Sequence, residues 1–333
     1  MKSKKRVVVV GGGTGTYTTL LGLKKYSINP SVIVTMTDSG GSNRVIRDEF
    51  GLLPTSDIRQ AIVALSDTNS NGLLRDLFTY RYSQGTGISG MTFGNLFMAA
   101  LTDILGSQSE AIDKTCKLFN VQGDIIPVTY NNSHLVARYD NGQQVLGEHE
   151  IDEPASDVLG HRIIDLELIP KAVSNPKAIK SIEEANLIIF SPGDLYTSLL
   201  CNLVVGNISK SIAKSKAKKV LVVNLMTKNG QTNGFKASDF LKEVNKYLGG
   251  NYIDYVIINN NLKFKDKIIR RYHQENAEVV IYDLEPIPYK NLKVYRKDLV
   301  SSQIYKKPKS DHLVRSLVRH DPDKLAKAIL SLL

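Results

Sequence analysis

The sequence predicts an α/β protein: a Rossmann-like, doubly wound, mostly parallel sheet with a small antiparallel β insertion. Three observations carry this. Short β-branched runs, Val7–Val10 foremost, alternate with segments of helical apolar spacing, the rhythm of parallel strands buried on both faces. Small-residue loops follow those runs and open the next helix, as at the carboxyl ends of strands in such sheets. From Gly123 to Pro170 the pattern switches to alternation around Asp140-Asn141-Gly142, a hairpin signal. The α/β rhythm resumes afterwards, so the 333 residues read as a single domain over 1–333 with a β-rich insertion at about 123–170.

The first unit is RVVVVGGGTGTYTTLLGL, Arg6 to Leu23. Its valines form a buried strand, and Gly11, Gly12, Gly13, Thr14 and Gly15 allow a tight turn into a helix. Thr14, Thr16 and Thr18 are candidate caps. Amides at the start of that helix make an anion site. The dinucleotide fingerprint is incomplete, because Thr16 or Thr18 stands where its third glycine belongs, and the phosphate-loop lysine is missing. A packing turn without ligand is the alternative.

The second strand, Ser31–Thr37, runs to Asp38. An acid there suits a ribose hydroxyl in a nicotinamide enzyme, or a helix cap. Gly40, Gly41 and Ser42 form a second backbone cradle, with Arg44 and Arg47 in reach of an anion. Asp57 precedes a helical pattern. It is either a cap, alone or with Ser56, or a partner of Asp38 in holding Mg²⁺ or a hydroxyl. Gly90 to Asn95 is a third small-residue loop ahead of an apolar helix.

IIPVTY, HLVARY and QQVLGEHEID read as strands of the insertion. His134, His149 and His161 lack metal-ligand spacing and read as surface or hairpin residues. NLIIF, KVLVVNL, DYVIINN and EVVIYDL continue the parallel sheet, which brings its buried strands to six. Gly193 and Asp194 follow the first of these strands, and Asn224 ends the second. After a strand-like stretch from His312, Asp321 caps a closing helix whose first residue is Pro322.

Composition bounds the function. The charge is +10, with lysines at Lys210, Lys214, Lys216, Lys218 and Lys219 and basic residues from Lys263 to Arg271. Without a nucleic-acid motif or stacking platform these read as solvated faces, and a positive field also suits a small polyanion. Cys116 and Cys201 read as reduced core residues, which favours the cytoplasm. No window approaches a membrane span, and the valine run is too short for a signal peptide.

Together, GGGTGTYTTLLGLKKY, TDSGGSNRVIRDEFGLLPTSDIRQAIVALSD, FGNLFMAALT, SPGDLYTSLLCNL and NLMTKNGQTNGFKASDF resemble the CofD-like family, and within it the YvcK-type gluconeogenesis-factor branch. The resemblance runs from about Val7 to Asp239, then more weakly to RHDPDKLA. It implies a Rossmann-like core and, from the habit of the family, a homodimer. The enzyme branch, 2-phospho-lactate transferase, joins a phospholactyl group from a nucleotide-activated donor to a deazaflavin alcohol with Mg²⁺. The gluconeogenesis-factor branch binds UDP-sugars, notably UDP-N-acetylglucosamine, and is linked to carbon allocation toward the cell wall and to cell shape. Carried over, Gly11 to Gly15, Asp38, Gly40, Gly41, Asp57, Asn95, Gly193, Asp194 and Asn224 would line the cleft, with Tyr272 and Arg319 on the nucleotide sugar.

This chain departs from the branch in three places. D-D-G-G-S-S-G-R becomes Asp38-Ser39-Gly40-Gly41-Ser42-Asn43-Arg44-Val45, P-P-G-D becomes Pro54-Thr55-Ser56-Asp57, and G-H-x-x-G-N becomes Gly90-Met91-Thr92-Phe93-Gly94-Asn95. A carboxylate and a histidine are lost, which weakens acid/base chemistry more than binding. The leading expectation is therefore a cytoplasmic regulator that binds a nucleotide or nucleotide sugar, with no required cofactor and Mg²⁺ only alongside a bound nucleotide. The alternatives are a Mg²⁺-dependent transferase acting through Asp38 and Asp57 and a nicotinamide oxidoreductase.

Overall fold

The computed structural model describes residues 4–67, 72–302 and 316–333. In chain order it begins with β1 (Lys5–Gly11), α1 (Gly13–Leu23), β2 (Ile28–Val34), α2 (Gly41–Phe50), α3 (Ser56–Leu65), α4 (Gly72–Thr79), α5 (Phe93–Leu105), α6 (Gln108–Leu118) and β3 (Asp124–Pro127). Then come β4 (His134–Tyr139), β5 (Gln144–Leu146), α7 (Glu148–Asp152), β6 (Ile163–Ile169), α8 (Pro176–Glu183) and β7 (Leu187–Phe190). A π-helical turn (Leu195–Leu200) leads to α9 (Cys201–Leu203), α10 (Ile208–Lys214), β8 (Lys218–Val222), α11 (Ala237–Leu248), β9 (Tyr255–Asn259), α12 (Asp266–Gln274), β10 (Lys293–Lys297) and α13 (Pro322–Leu330).

Seven strands form one parallel sheet in the order β10-β9-β8-β7-β1-β2-β3. Val7–Val10 of β1 lie at its centre and are fully buried, which is why the run carries no polar residue. The chain moves outward from β1 through β2 to β3, then returns to the other side of β1 at β7. That reversal opens a crevice at the carboxyl ends of β1 and β7, where such sheets bind ligands.

Three expectations about strands are corrected. The GEHEID end of QQVLGEHEID is not a strand, since Glu148–Asp152 forms helix α7. Ile125 and Ile126, read as part of the insertion, belong to β3 at the edge of the parallel sheet, where Pro127 is tolerated because no further strand needs its N–H. EVVIYDL is not a sheet strand. Val279 forms only an isolated bridge to Met226, and Val280 N donates to Leu225 O at 3.0 Å. The place beside β9 is taken by β10, whose KVYRK sequence is a charged edge that periodicity does not pick out.

The antiparallel sheet, β5-β4-β6, contains the expected hairpin. Its buried side chains, among them Leu135, Tyr139 and Leu166, join the same apolar core as the parallel sheet. Asp321 caps α13 through Asp323 N and Lys324 N, with Pro322 first in the helix. Most of the strand-like stretch expected before it, from His312, lies outside the described residues. Cys116 and Cys201 are free thiols. Lys219 is buried, its Nζ donating to Ser215 O and Ala217 O, so that lysine belongs to the fold and not to a solvated face.

Candidate functional site

The glycine loop is filled by the protein's own carboxylate. α1 starts after Gly12 with no side-chain cap, and Gly13 N donates to Asp57 Oδ1 at 2.9 Å. Thr55 holds the N-cap position of α3, so neither Ser56 nor Asp57 caps it, and Asp57 instead serves the helix opposite. The threonines are not caps either. Thr16 Oγ1 pairs with Ser191 Oγ and Thr18 Oγ1 donates to Thr14 O. The loop needs glycine because its neighbours press close. A Cβ at Gly12 would lie 2.2 Å from Asp57 Oδ2, and one at Gly15 would lie 1.9 Å from Pro192 O.

The second cradle is closed in the same way. Asp38 Oδ1 accepts from Gly40 N at 2.9 Å, and Asn43 Nδ2 donates to Asp38 Oδ2. Asn95, fully buried, ties this loop down. Its Nδ2 donates to Ser42 Oγ and Asn43 Oδ1, and its Oδ1 accepts from Thr55 Oγ1 and Arg59 Nε. The two arginines expected at an anion do other work. Arg47 is buried and donates to Thr37 O, Ser133 O and Asn132 Oδ1. Arg44 points outward and pairs with Asp48.

Across the crevice, Asn224 and Gly193 exchange hydrogen bonds: Gly193 N to Asn224 Oδ1 at 3.2 Å and Asn224 Nδ2 to Gly193 O at 2.7 Å. Asp194 precedes the π-helical turn and accepts from Lys228 Nζ at 3.0 Å. Lys228 also pairs with Asp152, whose Oδ1 accepts from Gln231 Nε2 and Thr197 Oγ1 as well.

Three members of this group escaped sequence reasoning because they arrive from the insertion on α7. Glu148 Oε2 accepts from Ser39 N at 3.4 Å, His149 N donates to Ser39 Oγ at 3.0 Å, and Asp152 binds Lys228. The ring of His149 covers Gly40, where a Cβ would meet Nδ1 at 3.2 Å. His149 therefore belongs to the site, contrary to its reading as a surface or hairpin residue. His161 keeps that reading, pairing with Asp140 beside the hairpin turn.

The electrostatics follow from crowding acids in a crevice. Burial, joined by the charge of Asp38, pushes Asp57 up to about 7. Burial raises Asp38 against the hydrogen bonds from Gly40 and Asn43. It also raises Glu148 well above the usual carboxylate range, with Asp38 and Asp152 adding to the effect. Burial raises Asp194 despite Lys228. Burial opposes the Lys228 ammonium, but Asp194 and Asp152 outweigh it and hold the charge.

Tyr272 and the segment that carries Arg319 meet one strand further along, beyond β8, where Arg319 Nε donates to Ser316 O at 3.2 Å. Tyr272 Oη accepts from Leu317 N and Val318 N, both at 3.1 Å. Its ring packs with Leu225, Met226, Ala277 and Val318. Ser301 N donates to Arg319 O, and burial holds neighbouring His320 down to about 4, against a hydrogen bond to the Val223 backbone. Leu225 and Met226 link this cluster to Asn224 and Lys228 along one loop.

Among the described residues, no group of three or more His, Cys, Asp or Glu side chains is arranged to hold a metal ion. Mg²⁺ needs only one or two carboxylates when phosphates supply the rest. The acids of this crevice, with Asp57 Oδ2 receiving no N–H donor among the described residues, fit that lesser requirement.

The family model described as 2-phospho-L-lactate transferase CofD matches residues 7–300. The chain belongs to the CofD family. Its relatives within the family include the "Gluconeogenesis factor" of Bacillus subtilis (strain 168), 36% identical over 334 residues, covering 100% of this chain and 99% of the relative. The "Putative gluconeogenesis factor" of Aquifex aeolicus (strain VF5) is 40% identical over 335 residues, covering 99% of this chain and 97% of the relative. The crystal structure of a UPF0052-family protein from Bacillus halodurans superposes with a TM-score of 0.88 at 33% identity, covering 99% of this chain and 100% of that one. No helix among the described residues is long and apolar enough to cross a membrane.

Proposed function

We propose that this CofD-family protein binds a nucleotide sugar of the UDP-N-acetylglucosamine class in the crevice and acts as a cytoplasmic regulator of carbon allocation toward the cell wall and cell shape. One observation carries the reading. A continuous row of polar groups runs along the carboxyl ends of the strands, from Asp38 after β2, through Asp57 and Asp194, to Asn224 and the Tyr272–Arg319 cluster beyond β8. Adjacent strands lie about 4.8 Å apart, so the row suits an elongated ligand with distinct ends. Its β2–β7 end is acidic and suits hydroxyls. Its far end carries Arg319 and the exposed Lys263, Lys265 and Lys267 beside α12, which suit a diphosphate. The internal capping of both glycine cradles by Asp57 and Asp38 further favours phosphate contact at that far end. A melting-temperature screen with UDP-N-acetylglucosamine, UDP-glucose, GTP, GDP and NAD tests the reading, since a ligand of the folded state raises apparent stability. A shift with UDP-sugars supports it, and no shift with any UDP-sugar at millimolar concentration refutes it.

A second reading, a Mg²⁺-dependent transferase of the 2-phospho-lactate type, draws on the excess of acids over Lys228. Asp38 and Asp57 would hold the ion with the nucleotide's phosphates, and the ion would neutralise charge on the transferred group. A GTP or GDP shift that appears only with Mg²⁺ favours it. The nicotinamide reading is weaker here, because Thr16 or Thr18 stands where the dinucleotide fingerprint needs its third glycine. A homodimer draws support from the exposed apolar side chains of α4 and α5. Leu73 is 81% and Ile104 77% exposed, with Leu77 and Tyr80 nearby.

A further inference from the structure

Resting on the nucleotide-sugar reading, we propose that α7 reads the sugar and that His149 is its specificity-determining side chain. The origin of α7 is informative. The helix belongs to the insertion, not to the sheet, yet its five residues place Glu148 and His149 on the Ser39 loop and Asp152 on the Lys228 loop across the crevice. His149 is half-buried, and its ring lies over the Gly40 backbone beside Asp38. This is the loop where the sequence has Ser39 instead of a second carboxylate, and Glu148 and His149 both bond to that serine.

The chemistry of this end is that of a hydroxyl reader. Asp38, Asp57, Glu148, Asp152 and Asp194 are acceptors, and Lys228 with His149 supplies donors. Such a set pairs with the alternating donor and acceptor roles of a pyranose and repels phosphate. A second observation points to an incoming group. Gln231 is 1% exposed and gives its Nε2 to Asp152 and Thr197, while its Oε1 has no partner. A buried amide oxygen left unpaired beside α7 is an acceptor for a ligand hydroxyl or the water that precedes it.

The test is calorimetric titration of the full chain and of His149→Ala and His149→Gln with UDP, UDP-glucose and UDP-N-acetylglucosamine. In the wild type both sugars should tighten binding relative to UDP. His149→Ala should lower that preference by about tenfold while changing UDP affinity by less than about twofold, and His149→Gln should restore part of it, because a site built to hydrogen-bond a hydroxyl discriminates through that bond. Unchanged melting temperatures separate the effect from unfolding, and Asp152→Asn provides a second variant on α7 if His149→Ala does not fold. Equal losses for UDP and its sugars, or no loss in the α7 variants, overturn the role of α7 and leave the nucleotide-sugar reading standing. No wild-type binding of either sugar overturns both.

Discussion

Asp57 Oδ1 accepts the amide of Gly13 at 2.9 Å across 44 residues of sequence. The bond places a carboxylate at the amino terminus of α1, where a ligand phosphate would otherwise find a free amide. It joins β1's turn to α3 and sets Asp57 among the acids of the crevice. The first glycine loop is thus a joint between two helices as much as a binding surface.

Protonation of Asp57 should therefore be visible in stability. Its folded value is about 7 against an ordinary 3.8, so the folded state holds the proton more tightly than the unfolded chain. The stabilisation is fully present below about pH 4, fades as pH rises toward 7, and is absent above. Urea unfolding of wild type and Asp57→Asn from pH 5 to pH 8 should show the wild type losing stability relative to the variant up to about pH 7 and no further change beyond. A pH-independent difference would contradict the assignment.

Asn95 should matter more to stability than to charge. Its removal strands Ser42, Asn43, Thr55 and Arg59, which it joins in a buried network. Leaving buried donors and acceptors unpaired costs about 1–3 kcal/mol each, partly recovered by water, so Asn95→Ala should cost about 2–4 kcal/mol in a denaturant titration. A cost under about 1 kcal/mol would show that the network carries little.

Gly15→Ala and Gly41→Ala separate packing from backbone conformation. The first puts a methyl 1.9 Å from Pro192 O and must move the β7 loop, whereas the second meets open space at a φ of +48°. Overpacking costs about 1–3 kcal/mol and a left-handed residue about 1–2 kcal/mol. Gly15→Ala should therefore be the more damaging to ligand affinity, because Pro192 carries Gly193 and Asp194. Equal affinities in the two variants would argue against that coupling.

Tyr272→Phe and Arg319→Ala should fail differently. The phenol holds two amides of the segment before Arg319, so its loss should lower both stability, by about 1–3 kcal/mol, and nucleotide-sugar affinity. Arg319→Ala, which removes the Nε bond to Ser316 O, should lower affinity by more than it lowers stability. Comparing melts with titrations distinguishes them, and a stable Tyr272→Phe with wild-type affinity would remove Tyr272 from the account.

The sequence made the centre of this molecule legible and left its rim obscure, for physical reasons. Val7–Val10 and Leu187–Phe190 are buried on both faces, so their strands are written in composition. Asp38, Gly193, Asp194 and Asn224 were legible as loop residues at strand ends and Asp57 and Asn95 as residues opening a helix, and they do converge. β10 was not, because an edge strand such as KVYRK has no buried alternation to display. Glu148, His149 and Asp152 were not, because a crossing by the insertion brings them to the crevice and no local pattern encodes it, and Lys228 stood out only once Asp152 was placed beside it. Arg44 was misjudged because a helix of ten residues has an outer face, and its spacing to Asp48 placed it there.

Calorimetric titration of the full chain with UDP-N-acetylglucosamine in metal-free buffer tests nucleotide-sugar binding without an intermediary. Saturable binding is expected, one ligand per chain and tighter than for UDP alone. No binding at millimolar ligand, or binding only after Mg²⁺ and a guanine nucleotide are supplied instead, would contradict it.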